Sequence, residues 1–458
     1  MKANGAEVIG AFLKNAGVSY IFGLMGSPMM PIMDKVHAAG DVRFVPTLHE
    51  QGAMFMAVGY ARYTRKPGVC FLTTGPGATN GTTGLAEAYV ESIPLVFLSM
   101  ESATDRYGRP FSNSHEIDQL SVFKPITKGA WRIERGDRIV EILERAFRTA
   151  QGGRPGPVYV GIARDIIRQD VEFELRPPES YMARSRVVPD EVSMGHATDL
   201  LAGAKNVVIF AGGGVWRSDA QAELTDLAER LEAAISVAFA QQGIVPETYP
   251  LYVGRPSFAI YGSDNPAYKA VIQDADLLVI LGATMSERST SGYHKDIVPP
   301  GIDILQIDID PAEIGKNYPV KLGLVGDIKA TLRLALRDLE SRGVHRKDLA
   351  ASEKAQHIRQ LRQEERSRYM PQATSDAVPI NRLRLMKEVF DFVGPDTIIS
   401  GSHGWKERVG DLNNPAFAEG GDFGTASGSG FLRSLVIKLV DPQKQVVWLA
   451  GDGSFMMV

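Results

Sequence analysis

Two stretches near opposite ends of the sequence carry residues that suit a phosphorylated ligand bound together with a metal ion. Near the N-terminus, Glu50 begins a helical stretch, and a glycine-rich turn at residues 75–80 follows the next apolar run. Near the other end, an apolar strand is followed by the four residues Gly451, Asp452, Gly453 and Ser454. Glycines let a backbone approach phosphate closely, and a carboxylate offers the hard oxygen that Mg²⁺ prefers. These residues therefore predict a diphosphate group held by a metal ion.

The elements that would position the N-terminal residues are short apolar strands that alternate with helical segments. Within the first 170 residues or so, we predict strands at 20–23, 43–46, 69–73, 95–99 and 158–162, with helical stretches at 50–64 and 80–92. Strand–helix alternation at this spacing predicts a parallel, doubly wound sheet. Glu50 and the turn then both lie at the carboxyl ends of parallel strands, where open α/β sheets bind ligands.

The same alternation recurs later in the sequence. A linker rich in Pro, Arg and Glu follows the first part, and further apolar strands are predicted at 207–210, 277–281 and 304–308. The last part offers strands only at 397–400 and 446–449, whereas a typical sheet has about five or six strands.

We therefore predict an α/β fold with three doubly wound parallel-sheet domains, of which the third is incomplete. The predicted domains occupy residues 1–170, 191–342 and 376–458. Because the sequence stops at Val458, four residues after Ser454, we expect either a truncated chain or a mobile remainder.

Composition narrows the class of protein. The net charge of −4 leaves no basic surplus, so nucleic-acid binding is not expected. No apolar run reaches the roughly 20 residues of a membrane span, and the first residues lack the apolar core of a signal peptide. The lone Cys70 lies in an apolar run and is expected in the core of a protein from a reducing compartment. We therefore expect a cytoplasmic protein.

The N-terminal motifs resemble the pyrimidine-binding domain of the thiamine diphosphate enzymes of the acetolactate synthase group. The resemblance rests on residues 48–53, 59–62, 66–69, 75–80, 84–89 and 92–94. Residues 451–454 are similar to the start of that family's diphosphate motif. The resemblance implies thiamine diphosphate and Mg²⁺ as cofactors, with Asp452 as a metal ligand.

The resemblance also implies a role for Glu50, since the matching glutamate in the family touches the cofactor's aminopyrimidine ring. A buried acid has a raised proton affinity and can share a proton with a ring nitrogen. Glu50 would thereby activate the cofactor to attack the carbonyl of a 2-oxo acid, and the cofactor would serve as the electron sink.

Further cofactor-binding residues follow from the same resemblance: Gly26, Thr74, Pro76, Gly77 and Asn80 on the pyrimidine side, and Ser402, His403 and Ser427 on the diphosphate side. Relatives place a bulky apolar residue where Ser427 falls. His115 stands where relatives place a Gln that faces the reaction centre. A histidine there can transfer protons near neutral pH, or it is a loop residue without a role.

The function implied is decarboxylation of a 2-oxo acid with carboligation, similar to acetolactate synthase. A 2-oxo acid decarboxylase or another C–C lyase of the family is the first alternative, and a non-catalytic scaffold or regulatory protein is the second. The family pattern implies a homodimer or homotetramer with active sites at the subunit interface. Residues 212–214, 282–283 and 307–317 resemble the family's central domain, in which some members bind FAD or an adenine nucleotide. A purely structural domain is the favoured interpretation here, and bound FAD is the alternative.

Overall fold

The structure is a computed structural model that describes residues 1–109, 115–183, 185–239, 241–256, 265–394, 396–401 and 429–457. These residues divide into two compact units. The first unit contains residues from 1–185, 429–443 and 450–457, and the second contains residues from 186–401 and 444–449. The C-terminal residues are thus shared between the units, and the third domain stays a prediction.

The first unit is built on a six-stranded sheet. Strands in its N-terminal part are β1 (Lys2–Asn4), β2 (Tyr20–Gly23), β3 (Arg43–Pro46), β4 (Gly68–Leu72), β5 (Leu95–Glu101), β6 (Gly129–Ile133), β7 (Pro157–Ala163) and β8 (Asp170–Glu172). Helices there are α1 (Gly5–Asn15), α2 (Met30–Ala39), α3 (Glu50–Thr64), α4 (Pro76–Thr79), α5 (Thr82–Val90), α6 (Gln119–Phe123) and α7 (Ile139–Gln151). The strand order is β3-β2-β4-β5-β7-β6, and all neighbours are parallel. The predicted parallel α/β sheet is confirmed.

The sheet is buried on both faces, because side chains alternate between two apolar clusters. Val69 and Phe71 of β4 belong to a cluster with residues of α1, α2 and α7, whereas Cys70 and Leu72 belong to a cluster with residues of α3 and α5. Because both alternating sets of side chains are apolar, the strand must be covered by helices on both faces, which is the doubly wound arrangement. Cys70 is a free, buried core residue, as expected.

The second unit has a parallel sheet of its own. Its strands are β9 (Val207–Ala211), β10 (Ala234–Val237), β11 (Tyr252–Gly254), β12 (Leu277–Leu281), β13 (Asp303–Asp308), β14 (Leu322–Val325), β15 (Ile398–Gly401) and β16 (Val446–Leu449). Its helices are α8 (Glu191–Gly203), α9 (Gly213–Ser218), α10 (Gln221–Leu231), α11 (Pro266–Gln273), α12 (Ile328–Ser341), α13 (Glu353–Ala373) and α14 (Arg382–Phe392). The order β11-β10-β9-β12-β13-β14 is parallel throughout, and β15 pairs with β16 in a separate parallel pair.

Two C-terminal helices, α15 (Ser429–Val440) and α16 (Asp452–Met456), belong to the first unit. Helix α15 packs on α3, and Val436 joins the apolar cluster of that helix. The two helices meet at Gly59, where a Cβ would lie 2.9 Å from the Cα of Arg433. A side chain at residue 59 would therefore force the helices apart.

Candidate active site

Glu50 is the first residue of α3 and lies at the carboxyl end of β3. His49 caps the helix, because its Nδ1 accepts the N–H of Gln51 at 3.2 Å. The Glu50 side chain is only 8% exposed. A carboxylate in the first turn interacts favourably with the helix dipole. Glu50 is therefore an acid, largely shielded from water, at the carboxyl edge of the sheet, which is where open α/β sheets bind ligands.

The glycine-rich turn lies directly beside Glu50. Asn80 donates a hydrogen bond from Nδ2 to the Oε2 atom of Glu50 at 2.9 Å. Pro76 and Gly77 form the short helix α4, and a Cβ on Gly77 would lie 3.3 Å from the Oε1 atom of Glu50. The turn begins at Gly75, whose φ of 66° and ψ of −116° suit glycine and few other residues. The structure thus brings together the two N-terminal motifs.

Thr74 directly precedes this turn in the sequence, and Gly26 lies close to it in space. A Cβ on Gly26 would lie 2.5 Å from the Oγ1 atom of Thr73, so only glycine fits there. The Thr74 hydroxyl is buried and has no hydrogen-bond partner within the part of the chain that the structure describes. A buried hydroxyl without a partner is destabilising unless a ligand or water satisfies it.

His115 is placed against the turn by its backbone. It has a left-handed φ of 67°, and its carbonyl oxygen would lie 2.4 Å from a Cβ on Gly75. Its side chain is exposed. His115 thus lies at the edge of the glycine-rich turn, with its backbone close to Gly75 and its imidazole exposed.

The diphosphate-side residues are described only in part. Ser402, His403 and Ser427 lie outside the described residues. Gly451 precedes α16, and Asp452, Gly453 and Ser454 form the first turn of that helix, with Asp452 exposed. Among the residues that the structure covers, three or more His, Cys, Asp or Glu side chains never cluster as a metal site would require. The metal site at Asp452 stays a prediction.

Sequence reasoning missed one functional candidate, Gln119. This side chain is 1% exposed, and its Oε1 atom accepts the N–H of Gly75 at 2.7 Å. Asp118, which caps α6, is the nearest local signal, but it indicates only that a helix begins. No pattern in a single sequence separates a buried glutamine from an exposed one.

Two comparisons with known proteins bear on this site. Residues 3–122 match the family described as "Thiamine pyrophosphate enzyme, N-terminal TPP binding domain", and residues 194–334 match "Thiamine pyrophosphate enzyme, central domain". The chain is 33% identical to the probable acetolactate synthase large subunit of Methanococcus aeolicus, over 99% of this chain and 77% of that protein. The chain belongs to the thiamine diphosphate enzymes.

Other relatives agree with this membership. The acetolactate synthase isozyme 1 large subunit of Escherichia coli is 30% identical over 99% of this chain and 77% of that protein. The acetolactate synthase large subunit of Haemophilus influenzae is 29% identical over 100% of this chain and 78% of that protein. The resemblance to the acetolactate synthase group is confirmed, and the chain is a thiamine diphosphate-dependent enzyme of that type. No described helix is long and apolar enough to cross a membrane.

The residues around Glu50 fit the pyrimidine end of thiamine diphosphate. The ring carries nitrogen donors and acceptors, and the site offers a buried carboxyl group and the buried Thr74 hydroxyl. Cys70 behind Glu50 does not supply a thiolate, because burial, reinforced by the Glu50 carboxylate, raises the pKa of its thiol well above the usual value. Glu50 is therefore the acidic side chain available beside the glycine-rich turn.

A methyl group on Gly77 should weaken cofactor binding. In Gly77→Ala, the new Cβ would lie 2.5 Å from the Cγ2 atom of Thr73 and 3.3 Å from Oε1 of Glu50, so the turn or the carboxylate must shift. We expect the dissociation constant for thiamine diphosphate, measured by calorimetry, to rise about tenfold or more, as a shift of about 1.4 kcal/mol in binding would produce. Gly195→Ala on α8 is the control, because its Cβ meets nothing within 4 Å. Unchanged affinity in Gly77→Ala would show that the turn does not contact the cofactor.

Proposed function

We propose that this enzyme uses thiamine diphosphate and Mg²⁺ to decarboxylate a 2-oxo acid and to join the remaining acyl unit to a second carbonyl compound. The observation that carries the proposal is the shielded Glu50 carboxyl at the start of α3, which accepts a hydrogen bond from Asn80 of the neighbouring turn. When bound, the cofactor supplies the electron sink that decarboxylation of a 2-oxo acid requires.

The residues of the chain have separate tasks in this proposal. Glu50 would share a proton with the ring nitrogen through one carboxylate oxygen, while Asn80 holds the other oxygen by its hydrogen bond. The absence of a side chain on Gly77 would leave space for the ring beside Glu50. Asp452 would hold Mg²⁺, with Gly451, Gly453 and Ser454 beside the diphosphate. His115 is a candidate for proton transfer at the edge of the site.

The central domain is proposed to be structural rather than a site for FAD. Two backbone N–H groups of its first glycine turn already have acceptors within the protein. Gly212 donates to the carbonyl of Leu281 and Gly214 donates to the carbonyl of Gly282, both at 2.9 Å. A Cβ on Gly214 would lie 2.6 Å from the Cα of Gly282. These glycines are explained by close packing of two turns, so a phosphate-binding role is not needed to account for them.

We also propose a cytoplasmic homodimer or homotetramer with active sites at the subunit interface. Membership of the family supports this assembly, in which Glu50 and Asp452 of one site come from different subunits. Sedimentation with and without cofactor tests it, and an active monomer would contradict it.

A panel of 2-oxo acids of increasing side-chain size tests the function in the full-length protein with thiamine diphosphate and MgCl₂. Release of CO₂ with a new C–C bond in the product supports the proposal. Release of CO₂ with only an aldehyde product would instead indicate a decarboxylase. Absence of turnover together with absence of cofactor binding would indicate a non-catalytic member of the family.

Replacing Asp452 should remove the dependence of cofactor binding on Mg²⁺. In Asp452→Asn the hard anionic ligand becomes a neutral amide, and Mg²⁺ strongly prefers carboxylates. We expect the affinity for thiamine diphosphate in the presence of Mg²⁺ to fall about tenfold or more by calorimetry. Glu353→Gln is a matched control, since Glu353 is also an exposed acid at the start of a helix. Equal loss in both variants would argue against Asp452 as a metal ligand.

A further inference from the structure

Gln119 is a buried side chain that links the glycine-rich turn at residues 75–80 to strands β5 and β7. Its Oε1 atom accepts the N–H of Gly75 at 2.7 Å. Its Nε2 atom donates to the carbonyl of Met100 at 3.1 Å and to the hydroxyl of Tyr159 at 3.2 Å. The side-chain amide of Gln119 therefore uses both its oxygen and its NH₂ group. Because the Gly75 N–H requires an acceptor, the oxygen of the amide must face the turn.

A chain of polar contacts holds Gln119 from one side. The Tyr159 hydroxyl donates to the Oε1 atom of Glu101 at 2.6 Å. Burial, with a contribution from the Glu101 carboxylate, raises the pKa of Tyr159 well above its usual value, so the phenol keeps its proton. Arg132 donates from Nε to the other oxygen of Glu101 and pairs with it as an ion. The side chains in this series of contacts are all largely buried.

The same chain returns to Gln119 from the other side. The guanidinium of Arg132 lies 3.4 Å from the centre of the Tyr107 ring, and the Tyr107 hydroxyl donates to Asp118 at 3.1 Å. Asp118 caps α6, because it accepts the N–H of Ser121 at 3.2 Å, and Gln119 is the first residue of that helix. The contacts thus form a closed ring, which holds both the backbone and the side chain of Gln119.

Gly75, the residue whose N–H Gln119 accepts, is the first residue of the turn that reaches Glu50. Gly75 has a positive φ that only glycine adopts readily, and its N–H donates to Gln119. From there the chain continues to Gly77, where a Cβ would lie 3.3 Å from the Oε1 atom of Glu50, and to Asn80, which donates to its Oε2 atom. A shift at Gly75 is therefore transmitted to the carboxyl group within five residues of backbone.

We propose that Gln119 is a positioning residue for the reaction: by accepting the Gly75 N–H, it sets the turn that orients the Glu50 carboxyl group. The inference rests on the proposed role of Glu50. Gln119 touches neither substrate nor cofactor in this proposal and acts only through Gly75.

The first test compares two buried glutamines that each accept a glycine N–H and donate to a backbone carbonyl. In the second unit, Gln306 is 4% exposed, accepts the N–H of Gly315 at 2.9 Å and donates to the carbonyl of Glu313 at 2.9 Å. Gln119→Met and Gln306→Met each remove one such bridge, and both should lower the melting temperature. Only Gln119→Met should lower kcat, by roughly 10- to 100-fold, as expected for a slightly misplaced catalytic group, with KM changed much less. Equal kcat values in the two variants would overturn the inference.

A second variant, Gln119→Glu, uses pH as the readout. The neutral carboxylic acid has an acceptor for Gly75 and a donor for Met100, as the amide does, whereas the ionised form has acceptors only. Burial raises the pKa of the introduced carboxyl group, and the nearby Glu101 carboxylate adds to that increase. Activity relative to the wild type should therefore be highest at low pH and should fall as pH rises through that pKa. A deficit that does not vary with pH would count against the proposed hydrogen bonds.

Hydrogen–deuterium exchange tests the same contact without turnover. The peptide that covers residues 73–80 should exchange faster in Gln119→Met than in the wild type or in Gln306→Met, because the Gly75 amide loses its acceptor. Unchanged exchange would refute the proposal for Gln119. If the wild type has no activity on any 2-oxo acid, the proposed function fails, while the exchange result still decides whether Gln119 holds the turn.

Discussion

Glu50→Gln should lower kcat by about 10²- to 10⁴-fold, which is the usual contribution of a positioned proton-transfer group. Gln keeps the shape of the side chain, and its oxygen can still accept the hydrogen bond from Asn80. It cannot share a proton with the cofactor ring, so the loss should appear in turnover rather than in folding. Steady-state kinetics at saturating thiamine diphosphate and Mg²⁺ measures it.

Glu191→Gln provides the matched control for this experiment. Glu191 is also the first residue of a helix, α8, but it is exposed. Both variants lose the interaction between a first-turn acid and a helix dipole, which is worth about 0.3–1 kcal/mol. A large loss of kcat in Glu50→Gln alone would assign the effect to chemistry. Near-normal turnover in Glu50→Gln would remove the proposed role of Glu50.

Glu87→Gln should lower the free energy of unfolding by about 3–5 kcal/mol, because it leaves the charge of Arg433 buried without its partner. Glu87 on α5 is 0% exposed, and its ion-pair partner Arg433 on α15 is also 0% exposed. Glu91, one helical turn further along the chain, already pairs with Arg62 at 2.7 Å. Denaturant unfolding of the full-length protein measures the change.

The double variant Glu87→Gln with Arg433→Met identifies the source of that loss. Removing the guanidinium removes the uncompensated charge, so much of the stability should return, as it often does when a buried ion pair is replaced by uncharged residues. A double variant as unstable as Glu87→Gln alone would mean that Glu87 acts through packing rather than charge. A single variant as stable as the wild type would show that α15 does not bury Arg433 against α5.

Local patterns predicted much of the first sheet. The predicted strands at 20–23 and 43–46 coincide with β2 and β3, and the predicted helix at 50–64 coincides with α3. Strand β6 (Gly129–Ile133) was missed, because an edge strand is half exposed and its Gly, Trp and Arg residues lack the continuous apolar pattern of a central strand. The helix predicted at 80–92 corresponds to α5, which is shorter at both ends (Thr82–Val90), and the short helix α4 ends just before the predicted range, at Thr79.

The sequence by itself determined the family, the alternation of strands and helices, and the position of Glu50 and the glycine turn at strand ends. These features depend on neighbours within a few residues, so a pattern of apolar residues, caps and glycines records them. Only the tertiary structure decided that Asn80 holds the Glu50 carboxylate, that Gln119 holds Gly75 from 44 residues away, and that Arg433 pairs with Glu87. Those contacts depend on which strands and helices become neighbours in space, and a buried polar residue looks the same in the sequence as an exposed one until its partners are known.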